Sequence, residues 1–125
     1  MVLCSENEVK KWLRNLAIIK KELELKMRFY REITNEAGDD AFFRKHCIYY
    51  REQIEETQNK LKEQMSDVER LFGLLCEDEK LVMTARYITA VKWDYIERYV
   101  FYSRRQAIRL HNEAVKKLVG CSVGE

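Results

Sequence analysis

The residues best suited to chemistry lie toward the C-terminal end, in the run WDYIERYVFYSRRQAIRLHNEAVKKL. Ser103 and Gln106 match a capping box, so a helix should open there and carry Arg104, Arg105 and Arg109 in its first turns. A guanidinium is a planar fork of donors. It fits the paired acceptors of a guanine edge and, equally, the oxygens of a phosphate. Ala107, Leu110, Ala114 and Leu118 recur at helical spacing and form an apolar ladder. With that ladder inward, Arg104, Arg105, Ile108, Arg109 and Asn112 face outward, and the helix start adds its positive dipole end. Ser103, Gln106 and, upstream, Lys92 complete the candidate DNA-binding set. Gly120 is placed to stop the helix.

Such a helix needs something to hold it. Trp93–Val100 fits two turns of a preceding helix, with Ile96 and Val100 as its apolar positions and Trp93 as a brace. Phe101 and Tyr102 form the turn, and Tyr102 anchors it. This is the pattern of a helix-turn-helix whose second helix enters a major groove. Before it, Asp78 is expected to cap a short helix through Leu81, Val82, Ala85 and Ile88, with Thr89 and Ala90 as the connection. The aromatics Tyr87, Tyr95, Tyr99, Phe101 and Tyr102 read as core rather than as a base-stacking platform. His111 reads as a flanking polar residue.

The charge pattern agrees with a polyanionic partner. Residues 80–118 carry nine basic and three acidic residues, whereas residues 1–79 carry fourteen basic and seventeen acidic ones. A net charge of only +2 therefore conceals a basic back half behind an acidic front.

Enzymatic function is not expected. There is no glycine-rich phosphate loop, no GxSxG and no Cys–His pair that the sequence can place together. Glu55–Glu56 and Asp39–Asp40 read as solvated helix and turn residues. Cys4, Cys47, Cys76 and Cys121 form no CxxC pair, and His46 and His111 are far apart, so no metal site and no cofactor are expected. Reduced thiols suit a cytoplasmic chain, with Cys47 and Cys76 as small core fillers. The start MVLCSENEVKK lacks an apolar targeting core, and the apolar runs are too short for a membrane span.

The absence of proline and a charged fraction of 35% favour long helices. Ser5 with Glu8 opens the first, whose stripe Val9, Trp12, Leu16, Ile19, Leu23, Tyr30 and Ile33 is interrupted by Lys26. A turn follows between Asn35 and Asp40. Cys47, Ile54, Leu61, Val68 and Leu75 then repeat every seven residues, interrupted by Thr57 and Gln58. Ser66 with Glu69 offers a break in this second helix, although a continuous helix is the expected form. The fold class is thus all-α: a long antiparallel hairpin over 1–77, for scaffolding or oligomerisation, then a three-helix DNA-binding domain over 78–121. A two-helix hairpin buries one side of each helix. Leu13, Ile18, Met27 and Phe29 are left to find a neighbour, either in a homodimer or on the C-terminal helices.

The segment LVMTARYITAVKWDYIERYVFYSRRQAIRLHNEAVKKL resembles region 4 of sigma-70-type factors. It is similar above all to the small phage-encoded regulators of Gram-positive bacteria of the ArpU and RinA types. The likeness rests on Arg86–Ile88, Trp93, Ile96, Tyr102–Gln106, and RLHNEA with Leu118. The hairpin in front is similar to the N-terminal part of those proteins, with less specific motifs. The resemblance implies a sigma-region-4-like helix-turn-helix that binds promoter DNA and regulates phage or prophage transcription in the bacterial host cell. RNA polymerase is a possible second partner. It also implies that Arg104, Arg105, Ile108 and Arg109 face bases or backbone. Two positions depart from the pattern. Phe101 stands where glycine is common, and Glu97 where a small residue is, so a wider turn and a tilted helix pair are expected. The rival reading is a phage-derived antagonist that binds a host complex, either RNA polymerase or a nuclease such as a CRISPR effector.

Overall fold

The computed structural model of the chain describes residues 1–37 and 41–124, without the side chains of residues 36, 37 and 41–43. It is all-α, as expected. Helix α1 spans Glu6–Ala37 and α2 spans Ala41–Phe72. Helix α3 spans Glu77–Met83 and runs on as a π-helical turn over Thr84–Ile88. A 3-10 helix follows over Trp93–Arg98, then α4 over Arg104–Leu118. The turn expected around Gly38 lies outside the described residues. Among the described residues, no helix is long and apolar enough to cross a membrane.

Local chemistry explains where the long helices start and continue. Ser5 Oγ accepts from the Glu8 amide at 3.2 Å, and the Glu8 carboxylate accepts from the Cys4 amide at 2.6 Å. Two otherwise orphaned donors are thereby satisfied. Helix α2 runs unbroken past Ser66 and Glu69 because neither glycine nor proline intervenes before Gly73.

The chain forms two compact units, and their division is not at 77/78. One comprises Met1–Ala17 with Gln64–Glu125, the other Ile18–Glu63. In the first, the starting turns of α1 and the last turns of α2 share an interior with the C-terminal elements. Leu3, Leu13, Val68, Leu71, Met83 and Leu118 are all fully buried in it. Burying each such side chain stabilises the fold by roughly 1.5–3 kcal/mol. Leu13, expected to be left over, belongs to this core. Short backbone pairing closes the unit: Leu3 donates to the Cys121 carbonyl at 2.9 Å, and Val123 donates to that of Met1 at 2.8 Å. Gly120, at φ +90°, makes the turn into that pairing.

A second cluster, Val82, Ala85, Val91, Ile96, Val100, Ala107 and Leu110, lies under α3, the 3-10 helix and α4. Trp93 and Tyr102 pack against it as expected. Several local expectations are corrected. Cys76, not Asp78, caps α3: the Glu79 carboxylate accepts the Cys76 amide at 3.1 Å, and Asp78 accepts the Tyr102 hydroxyl instead. The helix through Ile88 ends in a π turn, in which the Thr89 amide reaches back to Thr84 O at 3.0 Å. The helix starting at Trp93 has 3-10 rather than α geometry. Cys76 is exposed and Cys47 only half-buried, so neither fills the core.

In Ile18–Glu63 the two helices run antiparallel. Phe29 meets Tyr50 edge to face at 4.9 Å, and the Tyr30 hydroxyl accepts from Arg51 at 3.2 Å. Two of the three residues that interrupted the apolar stripes, Lys26 and Thr57, face each other. Lys26 Nζ donates to Thr57 Oγ1 at 2.9 Å and pairs with Glu22 at 2.8 Å.

Candidate nucleic-acid interface

Helix α4 is fixed from both ends and from beneath. Ser103 is its N-cap, accepting the Gln106 amide at 3.2 Å, and the chain turns away after Leu118. Ala107, Leu110, Ala114 and Leu118 are buried as the ladder required, and Val115 and His111 join them. The sequence pattern missed His111. Its Nε2 lies 2.6 Å from the Tyr87 hydroxyl and its Nδ1 lies 3.0 Å from Asn112 Oδ1. With Nδ1 donating to Asn112, Nε2 accepts the tyrosine proton and the ring is neutral. Trp93 meets the ring edge-on at 5.1 Å. Burial holds the His111 pKa below its ordinary value. The Asn112 hydrogen bond opposes this, and the nearby charges of Lys10, Arg86 and Arg14 add to it.

The opposite face of α4 is exposed. Arg105, Gln106 and Arg109, with Ser103, line one shallow groove that contains no carboxylate. Neither arginine has an ion-pair partner among the described residues. Asn112 is exposed and Ile108 half-buried, and these two border a different groove together with Lys10, Arg14, Arg86 and Trp93. Lys92 lies apart from both, in a groove it shares with Ala90, Tyr95, Arg98 and Tyr99. Seven of the eight candidate residues are thus divided among three depressions, and the eighth, Arg104, stands at the helix start.

Arg104 behaves differently from its neighbours. Its guanidinium pairs with Asp94 at 3.1 Å, both side chains being more than half exposed. Its amide donates to Glu97 Oε1 at 2.7 Å. Glu97 therefore satisfies the first amide of α4 from the preceding helix. The first turn of α4 is accordingly not an open anion site, because a carboxylate already occupies it. Phe101 has no left-handed backbone, and its ring is 95% exposed. Among the described non-glycine residues, the left-handed one is Ala90, at φ 60°, in the loop before the 3-10 helix.

The aromatic residues separate into two groups. Tyr87 is buried, and Trp93 and Tyr102 are half-buried, as expected of core. Tyr95, Tyr99 and Phe101 are exposed, and the Arg98 guanidinium stacks 5.2 Å from the Tyr95 ring. Sequence reasoning also missed Lys10 and Arg14, which come from the other end of the chain. No local pattern could have assigned them, because only the packing of α1 brings them to Arg86 and α4. No protein-family model, curated protein or solved structure matches this chain.

Proposed function

We propose that the chain is a sequence-specific DNA-binding transcriptional regulator of phage or prophage origin, with α4 as its recognition helix in the major groove. The observation that carries this reading is the Arg105–Gln106–Arg109 surface, whose arginines have no ion-pair partner among the described residues, set on a helix whose other face is buried. Guanidinium and amide groups so placed match the acceptors of base edges. Arg105 is the base reader in this reading. Arg104, tied to Asp94 and Glu97, contributes a backbone contact at most. The protein would act in the bacterial cytoplasm. As a dimer it would match the two-fold symmetry of paired half-sites. Ile18, Leu25 and Phe29, exposed along one side of α1, are the surface for that dimer. A strictly monomeric sedimentation profile at high concentration would remove it.

The reading is tested by gel shift against the DNA upstream of the protein's own coding region at two salt concentrations. Arg105→Ala should cost roughly 1–3 kcal/mol and relax specificity at one base pair. Ala107→Asp, which buries a charge in the ladder, should abolish binding by unfolding the motif. If an Arg104, Arg105 and Arg109 triple alanine variant bound as well as the parent, the regulator reading would fail. It would fail equally if the parent bound no DNA at low salt.

The exposed Phe101, flanked by exposed Tyr99, favours a second reading: a protein antagonist that anchors an aromatic in a host complex. In that case Phe101→Ala would abolish co-purification with RNA polymerase or a nuclease, whereas the arginine variants would not.

A further inference from the structure

Lys10 and Arg14 are one helical turn apart on α1 and so lie on one face of it. Together with Arg86, they line a groove of about 170 Å³ that borders α4 at Ile108 and Asn112. Neither Lys10 nor Arg14 has an ion-pair partner among the described residues, and no carboxylate lines the groove. Arg86 is held in place by donating to the Val91 carbonyl at 3.1 Å and by stacking 5.1 Å from the Trp93 ring. One of its five N–H donors is thereby used, and among the described residues no carboxylate pairs with its charge. Three cations on one groove with no carboxylate in its lining make a surface that favours an anion.

We propose that Lys10, Arg14 and Arg86 form a clamp for a backbone phosphate of duplex DNA, flanking the major groove that α4 enters. This rests on the regulator reading above and adds a contact from the far end of the chain. Position decides the occupant. Helix-turn-helix proteins reach base edges with the N-terminal residues of the recognition helix. Asn112 lies seven residues beyond Arg105, about 10 Å further along the helix axis. The major groove is about 12 Å wide. With Arg105 at the bases, the Asn112 end of α4 therefore meets the groove wall, which is a line of phosphates.

The test is fluorescence anisotropy on the full chain, using the upstream duplex and a scrambled duplex of the same length across a salt series. Lys10→Ala with Arg14→Ala should weaken binding to both duplexes alike, by roughly tenfold per lost contact near 0.1 M salt. The slope of log affinity against log salt should fall by about two units. The preference between the duplexes should not change, and the charge-conserving pair Lys10→Arg with Arg14→Lys should restore binding. Amide resonances of residues 10–14 in the unsubstituted protein should also shift when the duplex is added, independently of any variant. An unchanged salt slope in the double alanine variant, while Arg105→Ala still weakens binding, would overturn the clamp and leave the regulator reading standing. Loss confined to the specific duplex would also overturn it, since a phosphate contact carries no sequence information. If the parent bound neither duplex, both readings would fall together.

Discussion

Between Ile18 and Glu63, the residues buried among those described are Ile19 and Thr57, one of them polar. In Met1–Ala17 with Gln64–Glu125, more than a dozen apolar side chains are buried in two clusters. The same two helices contribute to both units and carry the same kind of seven-residue stripe. The difference lies in what else is present. A pair of helices can bury one narrow seam, so the outer positions Ile18, Leu25, Phe29, Ile48 and Tyr49 stay exposed. Where α3, the 3-10 helix and α4 are added, the helices gain a second and third neighbour and a closed interior forms. Polar residues are tolerated inside each unit for one reason, that each has a partner. Lys26 and Thr57 satisfy each other in the hairpin. In the other unit, Gln64 bonds to Asn15 at 3.1 Å and to the Trp12 carbonyl at 2.7 Å.

The largest expected contrast comes from truncating matched leucines on α1. Leu13→Ala, at a fully buried position, should cost about 3 kcal/mol in urea unfolding. Leu25→Ala, at a position 55% exposed in the single chain, should change stability by less than about 0.5 kcal/mol at concentrations too low for the proposed dimer. Equal effects would show that the contrast in burial is not a contrast in energy. They would also be expected if Leu25 were covered by a second copy, so the pair should be measured at two protein concentrations.

A smaller effect concerns acid. Glu79 is 1% exposed; its Oε1 accepts from Lys117 at 2.7 Å, while its Oε2 has no hydrogen-bond partner among the described residues. Burial alone would raise its pKa, but the hydrogen bonds from Lys117 and Cys76, and the Lys117 charge, hold it below the ordinary carboxylate value. A depressed carboxyl contributes stability above its unfolded pKa, about 4.3, and that contribution is lost as pH falls through the folded value. His111 acts in the same direction at higher pH. Its folded pKa is lowered, so the unfolded chain binds the proton first and stability declines as pH falls below about 6.5. Glu79→Gln should cost roughly 1–2 kcal/mol at neutral pH and flatten the acid limb of the stability curve. His111→Gln should flatten the part just below neutrality. A parent protein equally stable at pH 7 and pH 5 would contradict the His111 assignment, and one equally stable at pH 5 and pH 2 would contradict that of Glu79.

The smallest effect tests the polar seam of the hairpin. Thr57→Val keeps the volume but removes the acceptor of Lys26, and should cost about 1 kcal/mol. Adding Lys26→Met should recover most of that loss in a double-mutant cycle, because both partners are then apolar. No coupling between the two would mean that the contact is incidental.

Much of this was legible in the residues. Ser5–Glu8 and Ser103–Gln106 mark helix starts because capping is local chemistry, settled within four residues. The ladder Ala107, Leu110, Ala114, Leu118 marks the inward face of α4 because helical periodicity is fixed by backbone geometry. The exposure of Arg105, Gln106 and Arg109 follows from the same periodicity. What the sequence left open depended on partners distant along the chain. Lys26 and Thr57 read as flaws in two stripes until the hairpin set them side by side. Glu97 read as a misfit and Arg104 as a free cation until the turn at Phe101 brought the Glu97 carboxylate to the Arg104 amide. His111 read as surface because its burial needs Tyr87, Trp93 and α4 together. Lys10 and Arg14 carried no signal at all. Local periodicity and capping energies are encoded within a few residues, whereas burial and electrostatic company are properties of the packed chain, and only the tertiary structure decided them.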